Sequence, residues 1–356
     1  MAEEKMQITT YLMKKLTLFL LLVAATSCLC RVSAQERPWM KYITPSGYFQ
    51  AGYNVDDSFN NSFYIKRARL ALSGVLYEGP KYGKFEYKVQ ADLAGSPKLV
   101  DYWVKYKVCE AFGVQFGQFK TALTIENSEY APLKLEMIDY SLLVQRFARM
   151  STTDISGISA TGREMGFQFF GRFAKMADGH YLLRYEAGLF NGNGINKLDD
   201  DRMKDFIGRL MIYPMKDLSV GVSYWKRIAG PSVTSPDAFW DYDPFDRLGV
   251  GIAYDSKFAF ARAEGMIGHT EGLRSMGAYV TAGYKINSAI SFGARYDYFA
   301  VDWSVSRPSD AQHYVTVGAS WYPFQRLRLQ LNYMYKKEPG VVNPIHLVNF
   351  MSSIVL

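Results

Sequence analysis

Cysteine is nearly absent from this sequence of 356 residues: there are three, and Cys28 and Cys30 lie in an N-terminal stretch that reads as removable. With only Cys109 left, a disulfide framework and a cysteine-based metal site are both excluded. Histidine is as scarce, and His180, His269, His313 and His346 stand far apart, without the spacing of metal ligands. No Gly-x-Ser-x-Gly elbow and no phosphate-cradling Gly-Lys-Ser/Thr loop occurs. Catalysis, a bound metal and any other cofactor are therefore not expected. Long apolar runs are missing too. Beyond the N-terminal stretch none reaches about 18 residues, so no transmembrane helix is expected. Charge of one sign is barely in excess: the net +7 falls to +5 from Gln35 onward, with 37 Lys and Arg against 32 Asp and Glu. That is a weak argument for an anionic partner and points to no nucleic acid.

The N-terminal stretch itself sets the expected compartment. Lys14 and Lys15 precede Leu16–Ala25, apolar except for Thr17, and Val32-Ser33-Ala34 follows as a small-residue cleavage site. That is the layout of a secretory signal peptide over residues 1–34, too short to span a bilayer. Cleavage after Ala34 leaves residues 35–356 as one domain starting at Gln35. A lipid anchor on Cys28 is the competing reading, although Ala25-Thr26-Ser27 matches a leucine-led lipobox poorly.

In place of long runs the chain has alternation. From Lys84 to Leu93, Phe85, Tyr87, Val89, Ala91 and Leu93 share one face, while Lys84, Glu86, Lys88, Gln90 and Asp92 share the other. The next strand puts Val100, Tyr102, Val104, Tyr106 and Val108 on the apolar face, and Asp101, Trp103, Lys105 and Lys107 opposite. In the stretch from Phe63 to Ser73, Arg67 and Arg69 oppose Leu70 and Leu72. A soluble sandwich also alternates, but it needs a second layer over its apolar face, and nothing here supplies one. With 26 Tyr and 23 Phe available for interfacial girdles, a transmembrane β-barrel fits better.

Sixteen strands are expected, with cores near 46–55, 62–76, 82–94, 99–109, 112–121, 162–173, 180–190 and 204–213. The second half supplies 217–227, 246–255, 257–267, 275–286, 289–300, 311–322, 325–337 and 345–356. The connections alternate in length. Short ones include Glu110-Ala111, Asp255-Ser256 and Asn287-Ser288; the alternate set is longer, at Asn54–Asn61, Thr121–Thr161, Ile228–Phe245 and Gly268–Arg274 among others. Short periplasmic turns and long extracellular loops are the habit of outer-membrane barrels. The closing strand carries Val348, Phe350, Ile354 and Leu356 on one face, with leucine where such strands usually end in an aromatic residue.

One stretch does not read as strand. Thr121 to Thr161 follows Gly117-Gln118-Phe119-Lys120 and carries Leu133, Met137, Tyr140, Leu143 and Val144 at helical spacing, then Arg146 and Arg149. So long a connection is usually functional. It is expected to fold into the barrel lumen, carry cationic side chains and narrow the passage.

The order and spacing of these pieces resemble the phosphate-selective porin O and P family, Bacteroidetes members in particular. The resemblance rests on Phe63-Tyr64-Ile65-Lys66-Arg67-Ala68-Arg69-Leu70, Gln90-Ala91-Asp92-Leu93, Gly117-Gln118-Phe119-Lys120 and Ser141-Leu142-Leu143-Val144-Gln145-Arg146, and it runs over most of the chain. It implies an outer-membrane, sixteen-stranded trimeric channel whose third extracellular loop turns inward. It also implies anion binding by lumenal arginines with an aspartate and a lysine at the constriction. Asp92 and Lys120 match those two, Arg67 and Arg69 match the inward basic pair, and Arg146 falls where the loop carries a basic residue. A dense arginine row on one later strand is missing; Arg163, Arg172, Arg184, Arg209 and Arg262 are scattered along the sequence.

The expected function is passive diffusion of small anionic solutes, phosphate among them, past Arg67, Arg69, Lys88, Asp92, Lys105, Lys120 and Arg146. The bland reading is that inward cations merely solvate a polar lumen, with Glu86 and Asp101 neutralising Lys84, Lys88, Lys105 and Lys107, and Asp92 pairing with Arg69. Outer-membrane lipid or lipopolysaccharide and two further copies of the chain are the remaining expected partners. The alternative class is a plugged barrel serving as a surface adhesin or envelope component, with Phe239, Trp240 and Tyr242 as a binding surface. A hydrolase would require a Ser/His pair on adjacent strands.

Overall fold

The computed structural model describes residues 42–199, 203–227, 245–270, 272–304 and 310–356. The expected signal segment 1–34 and the aromatic surface at Phe239, Trp240 and Tyr242 lie outside these residues.

Sixteen antiparallel strands close into one barrel, each paired with its sequence neighbours and the first with the last. They are β1 (Thr44–Asp56), β2 (Asn61–Gly79), β3 (Gly83–Asp92), β4 (Lys98–Lys107), β5 (Gly113–Lys120), β6 (Arg163–Lys175), β7 (Tyr181–Phe190) and β8 (Asp205–Met215). Then come β9 (Leu218–Lys226), β10 (Asp246–Asp255), β11 (Ala259–Thr270), β12 (Leu273–Lys285), β13 (Ile290–Ala300), β14 (Gln312–Phe324), β15 (Leu327–Lys337) and β16 (Ile345–Val355). Closure is direct: Tyr53 faces Phe350 and Gly52 faces Met351 across the β1–β16 seam, so no strand edge is left unpaired.

Alternation decides which way each side chain points. On β10, Leu248, Val250 and Ile252 are exposed, while Arg247, one residue before Leu248, and Ala253, one after Ile252, are buried. Exposed apolar side chains on a closed sheet are stable when the surroundings are lipid. The apolar cluster of buried residues brings Leu135, Leu143, Val144 and Phe147 together with Ile207, Trp225, Met266 and Phe299.

Three expectations need correction. Val100 is buried, not on the exposed face with Tyr102 and Val104. The pairing with β3 jumps from Gln90–Asp101 to Ala91–Leu99, so Val100 is the extra residue of a bulge. Gly268–Arg274 is not a long connection: β11 and β12 pair out to Thr270 and Leu273, because their alternation continues to the tip. Leu133, Met137 and Tyr140 share no helix. The 121–161 segment forms only α1 (Ile125–Glu129) and α2 (Leu142–Phe147), each started by a hydroxyl cap, Thr124 and Ser141. The apolar spacing between them reflects packing against the wall, which buries Met137 and Tyr140 without a helix.

Candidate functional site

Charged side chains of the strands and of the 121–161 segment pair with one another. The segment's cationic side chains are Lys134, Arg146 and Arg149, and with Glu126, Glu129, Glu136, Asp139 and Asp154 beside them the stretch is net acidic. The cations that pair with these carboxylates are on the wall. Arg262 of β11 donates to Glu136 at 2.8 Å and to Glu126 at 3.3 Å. Arg247 of β10 pairs with Asp154 at 2.9 Å, and both side chains have no exposed surface. Arg295 of β13 donates to the backbone oxygens of Asp139 and Tyr140, and Asp297 beside it accepts the N–H of Leu142 at 2.9 Å. Arg328 of β15 reaches the oxygen of Leu133 at 3.0 Å, and Lys66 of β2 pairs with Asp139.

Glu264 of β11 does the converse, accepting the N–H groups of Ile125 and Glu126 at the start of α1. Glu126 in turn accepts both the N–H and the hydroxyl of Ser141, which ties α1 to the cap of α2. The segment closes on itself at its far end. Asn127 donates to the oxygen of Gly162, whose positive φ of 74° admits glycine readily and where a Cβ would collide with the Asn127 amide.

Three cavities run in series along β2–β8, sharing side chains where they meet. The one nearest the long connections measures about 210 Å³ and is bordered by Lys66, Arg67, Arg69, Lys98, Arg163, Asp92 and Asp139. The middle one measures about 480 Å³, and its charged lining is Arg69, Lys88, Lys120, Arg163, Arg184 and Arg209 with Asp101, Glu129 and Glu186. The third, about 360 Å³ near the short turns, has Lys105, Lys107, Arg172 and Arg184 with Glu110 and Glu186. Arg69 and Arg163 border the first two; Arg184, Glu186, Gln115 and Gln168 border the last two. Basic groups outnumber acidic ones in each.

The expected site residues divide over this path. Arg67 donates to Gln50 at 2.8 Å, and Arg69 pairs with Asp92 at 2.8 Å. Lys88 and Arg163 share Asp101, at 3.0 and 2.7 Å. The Val100 bulge is what sets Asp101 opposite Gln90 for that role. Lys105 lies over the Phe170 ring, 4.5 Å from its centroid. Lys120 donates to Asn127 O at 2.5 Å, Tyr140 Oη at 3.1 Å and Tyr130 O at 3.3 Å, so its three protons all serve the segment. Arg146 borders none of the three cavities; it donates to Thr153 O and Gln312 Oε1 and lies against Phe299. Lys84 finds Glu86 as expected, but Lys107 is held by Glu110.

Of the five arginines that looked scattered, three come together, while Arg172 borders only the third cavity and Arg262 lies apart on β11. Arg163, Arg184 and Arg209 come from β6, β7 and β8, adjacent strands, so the row runs around the wall instead of along one strand. Glu186 joins Arg184 to Arg209, and Glu129 of the segment joins both, at 3.1 and 2.6 Å. Burial alone would raise the Glu129 carboxyl; Arg209 and Arg184 override it and hold it down at about 2. Sequence reading missed Lys66, Arg163, Arg184 and Arg209 as members of one site. Arg184 and Arg209 sit on the inner face by their own strands' alternation, whereas Lys66 is the extra residue of a bulge between the pairs Gln50–Arg67 and Ala51–Ile65, and Arg163 at the start of β6 is out of phase with Gln168 and Arg172; the acidic excess of the segment was the unread signal. Among the described residues, no group of three or more His, Cys, Asp or Glu could hold a metal ion.

The model of the family described as phosphate-selective porin O and P matches residues 46–226. No curated protein matches the chain. Among solved structures, an anion-selective porin from Comamonas acidovorans is similar at 11% identity, covering 88% of this chain and 99% of that one, with a TM-score of 0.64. OmpF of Salmonella typhi in complex with daunomycin is 12% identical over 88% and 97%, TM-score 0.64. The trimer form of OmpT from Vibrio cholerae is 12% identical over 88% and 99%, TM-score 0.61. At these identities the likeness shows the sixteen-stranded fold alone.

Proposed function

This chain belongs to the phosphate-selective porin O and P family and is a porin of the outer membrane, and on that premise we propose that it conducts small anions by passive diffusion. The observation that carries the preference is the basic excess in all three cavities: five to two, six to three and four to two. A solute moving from one cavity to the next exchanges one set of cations for another that shares a member with it, which suits weak, multi-site binding and release. Arginine forks and lysine ammonium groups lower the cost of stripping water from phosphate, chloride or a carboxylate alike. On this reading the 121–161 segment lies in the lumen and narrows it. Its bonds to β8, β10, β11, β13 and β15 support that position, since those strands lie around the ring from the β5 and β6 ends it joins.

Residues 35–356 make up the mature barrel domain, released from a leader over 1–34, and three copies assemble in the outer membrane. In planar bilayers under a salt gradient, the reversal potential has the sign of anion preference, and Arg67→Glu or Lys120→Glu moves it toward zero. Cation preference in the unaltered protein overturns the proposal. A second reading, a plugged barrel acting as an adhesin or envelope component, is favoured by one observation: Lys120 and the wall arginines bind the segment tightly. A barrel that never conducts selects that reading.

A further inference from the structure

The exposed side of β13–β16, at the end bearing the connections 301–311 and 338–344, carries a pattern the cavities do not use. His313 of β14 stands in register with Tyr298 of β13, and its Nδ1 lies 2.7 Å from the Tyr296 hydroxyl. His346 of β16 stands in register with Tyr335 of β15, and its Nδ1 lies 2.5 Å from the Tyr333 hydroxyl. The ring geometry repeats: Tyr298 meets His313 edge-on at 5.4 Å and 66°, and Tyr335 meets His346 at 5.6 Å and 76°. Two Tyr-x-Tyr pairs thus orient two imidazoles in the same way. With the phenol donating to Nδ1, each ring carries its proton on Nε2.

The registers stack these residues in rows. Tyr298, His313 and Lys337 form the row nearest the connections. Tyr296, Val315, Tyr335 and His346 form the next, and Ala294, Val317, Tyr333 and Val348 the one after. Along the barrel axis the surface passes from ammonium and imidazole, through phenol, to aliphatic side chains, with Val317 45% and Val348 39% exposed. A girdle of tyrosine alone would anchor a barrel at the interface; the added, hydrogen-bonded imidazoles and Lys337 give this face donors for an anion.

We propose that this face binds the phosphorylated headgroup of an outer-leaflet glycolipid, the lipid A end of lipopolysaccharide. Lys337 and the two imidazoles meet the phosphate, and the valine and tyrosine rows lie along the acyl chains. The proposal rests on the reading above that the barrel spans the outer membrane with its long connections outward.

The test is retention of diphosphoryl lipid A by the purified full-length protein, followed by native mass spectrometry, with phosphate-free lipid A as the second probe. The unaltered protein is expected to hold the phosphorylated lipid about tenfold more tightly, and Lys337→Gln/His346→Gln to remove that advantage. Tyr333→Phe, which frees the His346 imidazole, is expected to lower it about threefold. Equal retention of the two lipids, or an unchanged advantage in the double variant, overturns the proposal. So does a double variant that loses subunits while keeping the lipid, which assigns the face to a second copy of the chain. Anion conductance measured on the same samples separates a failure here from a failure of the porin reading.

Discussion

Strands β2–β8 and strands β10–β15 both present arginine on the inner face, yet they keep it in different company. On the first arc, Arg69, Arg163, Arg184 and Arg209 have carboxylate partners but still border cavities in which basic groups outnumber acidic ones. On the second arc, Arg247, Arg262, Arg295 and Arg328 each give at least one donor to the 121–161 segment, while Arg262, Arg295 and Arg328 also bond the wall at Tyr279, Asp297 and Ser320. The residue type and strand position are the same. Both arcs touch the segment, the first through Lys66, Lys120, Arg184 and Arg209, and the difference is that the cavities remain open along the first. The second arc holds the segment through Arg247, Arg262, Arg295 and Arg328, and the first arc borders the three cavities.

That contrast breaks most sharply at Arg262. Arg262→Leu leaves Glu126, Glu136 and Glu264 crowded in a buried patch without their cation, a loss expected to cost about 3–5 kcal/mol of stability. Thermal unfolding should fall accordingly, and single-channel conductance should rise as the segment detaches. A stable variant with unchanged conductance means the clamp does not hold the segment.

Gly162→Ala tests the segment's hinge from the other side. The positive φ and the collision with Asn127 are expected to cost about 1–2 kcal/mol, with a smaller change in conductance than Arg262→Leu gives. An unaltered melting temperature would show that the hinge relaxes freely.

Acid should act where the segment meets the first arc, since Glu129 pairs with Arg184 of β7 and Arg209 of β8. Glu129 has its carboxyl held down at about 2, so its contribution to docking is complete above its ordinary range near about 4 and is lost as pH falls toward about 2. Glu129 itself is therefore expected to leave conductance unchanged down to about pH 4 and to alter it below about pH 3. A break near pH 6 would point to other groups.

The smallest structural effect belongs to Lys105→Glu. Its ammonium lies against Phe170 in the third cavity, so reversing it should change stability by no more than about 0.5 kcal/mol. Selectivity should nonetheless shift toward cations, because the basic excess of that cavity disappears. A large loss of stability with selectivity intact would place Lys105 in the clamp class.

The barrel was legible because its physics is local. Alternation with a period of two says which side chains share a face, and it located all sixteen strands to within a few residues, since one apolar face per strand must meet lipid. It failed at Val100, where an inserted residue shifts the phase, and at the β11–β12 tip, where the pairing outruns the expected turn. The candidate site was legible only in part. Arg69, Lys88 and Lys120 were visible in their strands, but the grouping of Arg163, Arg184 and Arg209 depends on strand adjacency, which no spacing along the chain expresses.

The sequence by itself determined the wall: which segments become strands, which face meets lipid, and that a long acidic-rich segment interrupts them after Lys120. Tertiary structure alone decided what each inward charge does. Whether an inward arginine holds the segment or borders a cavity follows from which carboxylate or carbonyl stands within about 3 Å of it, and for Arg247, Arg262 and Arg328 those partners lie 93, 126 and 195 residues away in the chain.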